Sequence, residues 1–149
     1  MNAIRILIVD ENPIFRRILY RFLDDEYPNQ IAVVGTVTRF EIAPVKAQRL
    51  QPEVILVDHG LPGLMGLFCV ARLRALFPEA GIIVLTLQDK PDYRKSACEA
   101  GADDFIQKDN VFSDLMPAIR GDRYRGLVHL WPRSPSREVG ALLHFRIGP

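Results

Sequence analysis

The chain has little sulfur and no stretch suited to a membrane. Cys69 and Cys98 are the only cysteines in 149 residues, too few for a disulfide framework. Both fall at apolar positions of predicted helices, where a thiol acts as a small core side chain. The longest apolar runs fall far short of the roughly 20 residues that cross a bilayer. Asp10 interrupts the N-terminal run where a signal peptide needs its hydrophobic region. No address elsewhere is readable, so a cytoplasmic location is expected. No G-x-G-x-x-G follows the first apolar run, which removes the usual cradle for a dinucleotide. Internal repeats and low-complexity tracts are absent too. Net charge is only +1, though uneven: residues 1–120 carry −2 and residues 121–149 carry +3. That basic tail reads as a solvated linker.

What the chain has is a rhythm. An apolar share of 48% and a charged share of 25% suit a globular domain with its own core. Apolar runs near 4–9, 31–36, 53–58, 82–86 and 104–107 predict strands. Between and after them, helical spacing predicts helices near 13–25, 40–50, 65–77, 91–101 and 112–120. Ile14, Ile18, Leu19 and Phe22 mark the expected apolar face of the first helix. Leu67, Val70, Ala71, Leu73 and Leu76 mark that of the third. Pro13 suits a first helical position, Pro78 closes the third helix, and Gly101 is placed to cap the fourth. Pro44 falls early in the second, so a delayed or broken start is expected there. Five strand–helix units imply a doubly wound parallel sheet with helices on both faces. Ligands of such sheets bind beyond the carboxyl ends of the strands, where the strand order reverses. For order 2-1-3-4-5 that point lies between the first and third strands.

Those two strands end on acids. Ile4 to Val9 leads into Asp10 and Glu11, and Val54 to Val57 leads into Asp58. The fourth run ends at Thr86 and the fifth delivers Lys108. An unpaired buried carboxylate is costly, so such placement suggests groups presented at a rim. Carboxylates there suit Mg²⁺, which takes a few protein oxygens together with waters and phosphate oxygens. The Gly60 carbonyl is a further candidate ligand. Asp58 as nucleophile would form an acyl phosphate, with Thr86 and Lys108 meeting its oxygens. Each residue alone has an ordinary reading as a turn former or surface group; the combination points to phosphoryl chemistry. A haloacid-dehalogenase-like phosphatase would need an acid two residues beyond the nucleophile, where Gly60 stands.

Taken together the motifs resemble a response regulator receiver domain, the phospho-accepting half of two-component signalling. The matching stretches are Ile6-Leu7-Ile8-Val9-Asp10-Glu11-Asn12-Pro13, Val57-Asp58-His59-Gly60-Leu61-Pro62-Gly63-Leu64-Met65-Gly66, Val84-Leu85-Thr86 and Ala100-Gly101-Ala102-Asp103-Asp104-Phe105-Ile106-Gln107-Lys108-Asp109. Thr86 follows Asp58 by 28 residues and Lys108 follows Thr86 by 22, the family's spacing. The resemblance implies a flavodoxin-like (CheY-like) five-stranded α/β fold over residues 1–120. It implies that Asp58 accepts phosphate from a sensor histidine kinase or phosphotransfer protein. Mg²⁺ would be held by Glu11, Asp58 and the Gly60 carbonyl, with Asp10 assisting. Thr86 and Lys108 would sense the phosphoryl group. Phe105 would be the switch aromatic, turning inward as Thr86 moves. The face of the fourth helix, fifth strand and fifth helix would then bind a second receiver as a homodimer, or a downstream protein. The expected role is signalling rather than metabolic catalysis, with only the capacity to gain and lose its own phosphate.

Departures from the family pattern qualify these expectations. Glu11 replaces the commoner second Asp. Leu87 is bulkier than the usual residue after the Thr and is expected to slow entry of a donor or water; a pseudo-receiver is the corresponding alternative. His59 reads as a loop residue. Lys108-Asp109 resembles the NarL/LuxR-type branch, and Ser134-Pro135-Ser136-Arg137-Glu138-Val139 resembles the opening of a LuxR-type helix-turn-helix. A short helix over 137–143 is possible by pattern. Residues 121–149 are therefore read as a linker-like basic tail, a remnant or shortened output region, and direct DNA binding by this chain is not expected.

Overall fold

The computed structural model describes residues 2–60 and 64–121. Five parallel strands, β1 (Ile4–Val9), β2 (Ile31–Val37), β3 (Val54–Asp58), β4 (Gly81–Thr86) and β5 (Asp104–Gln107), form one sheet. Their order is β2-β1-β3-β4-β5. The expected sheet and strand order are those observed. Among the described residues four helices connect them, α1 (Pro13–Glu26), α2 (Ala43–Leu50), α3 (Met65–Leu76) and α4 (Pro91–Ala100), and α5 (Val111–Ile119) follows β5.

Strand alternation divides the core in two. Leu7, Val9, Ile55, Val57, Ile82, Val84 and Phe105 pack on the face covered by α2, α3 and α4. Ile6, Ile8, Leu56, Ile83, Leu85 and Ile106 meet α1 and α5. Cys69 and Cys98 lie in the first of these cores, as expected. Burial pushes the Cys69 thiol up to about 12.

Local signals set most helix ends. The Asn12 side chain caps α1, accepting from the Ile14 and Phe15 N–H groups at 2.9 and 3.1 Å. Gly101 closes α4 with φ +118°. A 3-10 turn over Phe40–Ile42 precedes α2, and Pro44 sits in its first turn, the delayed start anticipated from Pro44. Two apolar faces need correction. In α1 the buried residues are Leu19 and Leu23, whereas Ile14 is 71% exposed and Ile18 45%. In α3 the core takes Cys69, Val70 and Leu73, leaving Ala71 and Leu76 outside. Both helices carry apolar residues around much of their circumference, so spacing alone did not select the buried stripe.

Among the described residues no helix is long and apolar enough to cross a membrane. The resemblance over 134–139, the helix expected over 137–143 and the turn Leu61-Pro62-Gly63 lie outside the described residues.

Candidate functional site

Sheet register builds the site. Val9 pairs with Val57, so the next residues, Asp10 and Asp58, leave neighbouring strands side by side. Thr86 ends β4 and pairs with Gln107, which places Lys108 just beyond. Close packing of α3 completes this rim. A Cβ on Gly66 would collide with the carbonyl oxygens of Asp58 and His59, so only glycine lets the first turn of α3 sit against the end of β3. Gly60, at φ +82°, turns the chain there.

The Lys108 ammonium joins the two acids. Its Nζ donates to Asp10 Oδ2 at 2.8 Å and lies 3.1 Å from Asp58 Oδ1. It also stands 4.2 Å from the centroid of the Phe15 ring. Lys108 and Asp10 are buried, while the Asp58 side chain keeps 18% of its surface exposed. Asp10 Oδ1 accepts from the Asn12 N–H at 2.8 Å. Burial holds the Asp10 carboxyl above its ordinary range, against the Lys108 hydrogen bond that lowers it, and the neighbouring Asp58 charge adds to the rise.

Beside this cluster opens a cavity of about 420 Å³ lined by Glu11, Asp58 and Lys108, with Asn12, Pro13, His59 and Leu87. Leu87 is 65% exposed at its mouth. Asp10 and Thr86 are not among the lining residues. Asp10, Asp58 and Lys108 are thus in direct contact, and Glu11 shares the cavity with two of them. Thr86 stands apart chemically. Its hydroxyl is buried and engaged in its own turn, donating to Gln88 O at 2.9 Å and accepting from the Gln88 N–H at 3.2 Å.

Among the described residues no three His, Cys, Asp or Glu side chains group into a metal cage. Mg²⁺ does not require one, since it keeps several waters and uses one or two carboxylates. Two oxygen donors on an open cavity, Asp58 and Glu11, fit that demand, and the buried Asp10 carboxylate adds negative charge behind them.

The Phe105 ring belongs to the core as a strand aromatic. It is fully buried while the Thr86 hydroxyl faces Gln88. The Arg94 guanidinium lies 5.3 Å from the Phe105 centroid. His59 is a loop residue, as expected, and its packing adds what the sequence did not state. It follows β3, yet it is 1% exposed and packs against Tyr93 and Phe105. Burial lowers its pKa, opposed by the Asp58 charge. A histidine after a strand end carries no pattern that announces burial; only the packing of α4 decides it.

The arrangement has a cost that can be measured. Two carboxylates share one ammonium, and Asp10 is the more buried of them. A carboxyl raised in this way favours the fold below the ordinary carboxylate range, and that contribution is lost as pH rises through its raised value. Asp10→Asn should therefore stabilise the metal-free protein at neutral pH, by about 0.5–2 kcal/mol. Urea unfolding without divalent ions measures this. A less stable Asp10→Asn protein would show that the ion pair outweighs the burial of charge.

Acids and a lysine at the switch point of a 2-1-3-4-5 sheet make this a CheY-like domain. The family model of the response regulator receiver domain matches residues 6–120, and the chain belongs to that family. It is 30% identical over 125 residues to the response regulator GacA of Pseudomonas protegens, covering 81% of this chain and 58% of that protein. It is 36% identical over 107 residues to protein-glutamate methylesterase/protein-glutamine glutaminase 2 of Methanosarcina mazei, covering 71% of this chain and 29% of that one. The chain therefore spans little more than half of its GacA relatives and less of the methylesterase. In structure it is similar to the receiver domain of the response regulator NarL from Mycobacterium tuberculosis. The TM-score is 0.73 at 23% identity, over 84% of this chain and 99% of that one. A response regulator from Burkholderia pseudomallei, solved with a phosphorylated aspartic acid, calcium ion and citrate, gives 0.69 at 25% identity, over 99% of this chain and 76% of that one.

Proposed function

We propose that this domain is a phosphorylation-dependent switch that takes a phosphoryl group on Asp58 from a histidine kinase or phosphotransfer protein. One observation carries the reading: an Asp58 oxygen stands 3.1 Å from the Lys108 ammonium on an open cavity. In the transfer, an Asp58 oxygen forms a bond to phosphorus as the bond to the donor's leaving atom breaks, giving an acyl phosphate. Lys108 neutralises charge on the phosphoryl oxygens. Mg²⁺ would be held by Glu11, Asp58 and the Gly60 carbonyl, with Asp10 raising the local negative potential; it supplies charge neutralisation between acceptor and donor. The phosphoaspartate and calcium named for the Burkholderia relative support both assignments by analogy. Thr86 must leave Gln88 to reach a phosphoryl oxygen, so its release is the first conformational step in this reading. The face of α4, β5 and α5 is where the change would be read, by a second receiver or a downstream protein.

Intact-protein mass spectrometry after incubation with Mg²⁺ and acetyl phosphate tests the acceptor. Wild type should gain one phosphoryl adduct and Asp58→Ala none. An unmodified wild type, or an adduct that survives Asp58→Ala, would leave only a receiver fold without the chemistry. Leu87→Ala should speed adduct formation if the exposed leucine obstructs the cavity mouth.

A second reading makes this chain the receiver part of a DNA-binding regulator. The relative that favours it is EvgA of Escherichia coli, named a DNA-binding transcriptional activator. The match is 27% identical over 142 residues, 95% of this chain and 66% of that protein. A longer native polypeptide that carries this receiver and shifts DNA in a mobility assay supports this reading; a native product no longer than 149 residues overturns it.

A further inference from the structure

We infer that His59 is a positioning residue that transmits the state of the Asp58 carboxylate to α4. The inference rests on Asp58 being the acceptor, and it adds a route for the signal that does not pass through Thr86. His59 is the next residue on the backbone, and its N–H donates to Leu85 O of β4 at 2.8 Å. One peptide unit, held to β4, thus separates the Asp58 carboxylate from the His59 ring. That ring is 1% exposed, in a slot between two others. The Phe105 ring meets it at 6.1 Å and 90°, and the Tyr93 ring at 5.0 Å and 41°. Tyr93 and its neighbour Arg94 lie in the first turn of α4, and the Arg94 guanidinium lies over the Phe105 ring. The start of α4 is thus fastened to His59 and Phe105 together.

The chemistry of the ring is the second, independent observation. Neither His59 nitrogen has a hydrogen-bond partner among the described residues, although both are buried. A leucine or methionine would fill an apolar slot without stripping two polar atoms of water. Histidine therefore makes this arrangement less favourable than it need be. Any second arrangement that gives one nitrogen a partner gains by the difference, so the slot lowers the gap between two positions of α4. A small gap is what lets a single phosphoryl group shift the balance.

The test uses the full chain with Mg²⁺ and beryllium fluoride, whose adduct on an aspartate stands in for the phosphoryl group. Adduct formation is followed by mass or by fluorine resonance, and the response of α4 by amide hydrogen exchange over its first turn. In wild type, exchange there should change by about tenfold or more on adduct formation, within the usual range of coupling between sites. His59→Leu should still form the adduct, melt no lower than wild type, and change by less than about threefold. Tyr93→Leu, on the other side of the contact, should lose the same response and keeps the test open should the first variant fold poorly. A purely structural role would move stability in these variants but leave the difference between free and adduct states intact. A wild-type response in either folded variant overturns the coupling. No adduct on wild-type Asp58 overturns the acceptor reading, and the coupling with it.

Discussion

Arg74→Ala should lower the unfolding free energy by about 3–5 kcal/mol, the loss typical when one partner of a buried ion pair is removed. Arg74 lies near the end of α3, with only 3% of its side chain exposed. Its Nη2 donates to Asp103 Oδ2 at 2.7 Å, and that same oxygen accepts the Ile82 N–H at 2.9 Å. Nε donates to Gly101 O at 2.9 Å, and Nη1 to Ala80 O at 2.7 Å and Pro78 O at 2.9 Å. One guanidinium thus ties the loop before β4, the cap of α4 and the approach to β5. Removing it strands buried carbonyls and leaves the Asp103 carboxylate, 24% exposed, without its charged partner. Arg74→Lys should recover less than half of the loss, because a single ammonium cannot reproduce the planar fork. Gly101 belongs to the same unit, since a Cβ there would meet the Arg74 side chain at 2.6 Å in addition to its positive φ. Urea unfolding of both variants measures the effect. An Arg74→Ala protein within about 1 kcal/mol of wild type would mean that water replaces the guanidinium at little cost.

Arg74 also marks where the sequence stops being readable. An arginine inside an apolar helix pattern reads as a solvated face, because most are. Its main partners here are backbone carbonyls at positions 78, 80 and 101, and every residue type carries a carbonyl. His59 was hidden for a related reason: its burial is decided by Tyr93 and Phe105, which arrive from elements far away in the chain. Thr86 could be placed at the rim from its strand, but the bond from its hydroxyl to Gln88 is a matter of local turn geometry.

The sheet and the central cluster were legible because they rest on rules that operate at short range. Alternation and handedness give a parallel sheet covered on both faces, its order 2-1-3-4-5 came with the family resemblance, and a parallel register carries equivalent strand ends to the same height. Asp10 and Asp58 each follow the last residue of a matched pair, Val9 and Val57. Their meeting therefore follows from strand assignment once the first and third strands are neighbours. Pro44 was legible for the opposite reason, as a residue whose missing N–H restricts where a helix can begin. Helix faces were less so. Ile14 and Leu19 are both apolar but lie about 140° apart around α1, and the sheet buries only the second.

Lys108→Met should be the most damaging change at the site itself, and its damage should depend on its neighbours. The ammonium is buried between Asp10 Oδ2 at 2.8 Å and Asp58 Oδ1 at 3.1 Å. Without it two carboxylates face each other with the low-dielectric core behind them. A loss of about 3 kcal/mol is expected for the metal-free protein, at the lower end for a broken buried pair because Asp58 keeps some contact with water. Two further measurements separate charge from packing. Adding Mg²⁺ should return part of the lost stability, since a divalent ion held by the same acids replaces the missing positive charge. Combining Lys108→Met with Asp10→Asn should do the same without any ion, giving a coupling energy of about 1–3 kcal/mol in the double-mutant cycle. Additive effects of the two substitutions would place the loss at Lys108 in its stem and its contact with the Phe15 ring. In that case the clustering of charge on this rim would have no role in holding the fold, and the electrostatic account of the site would fail with it.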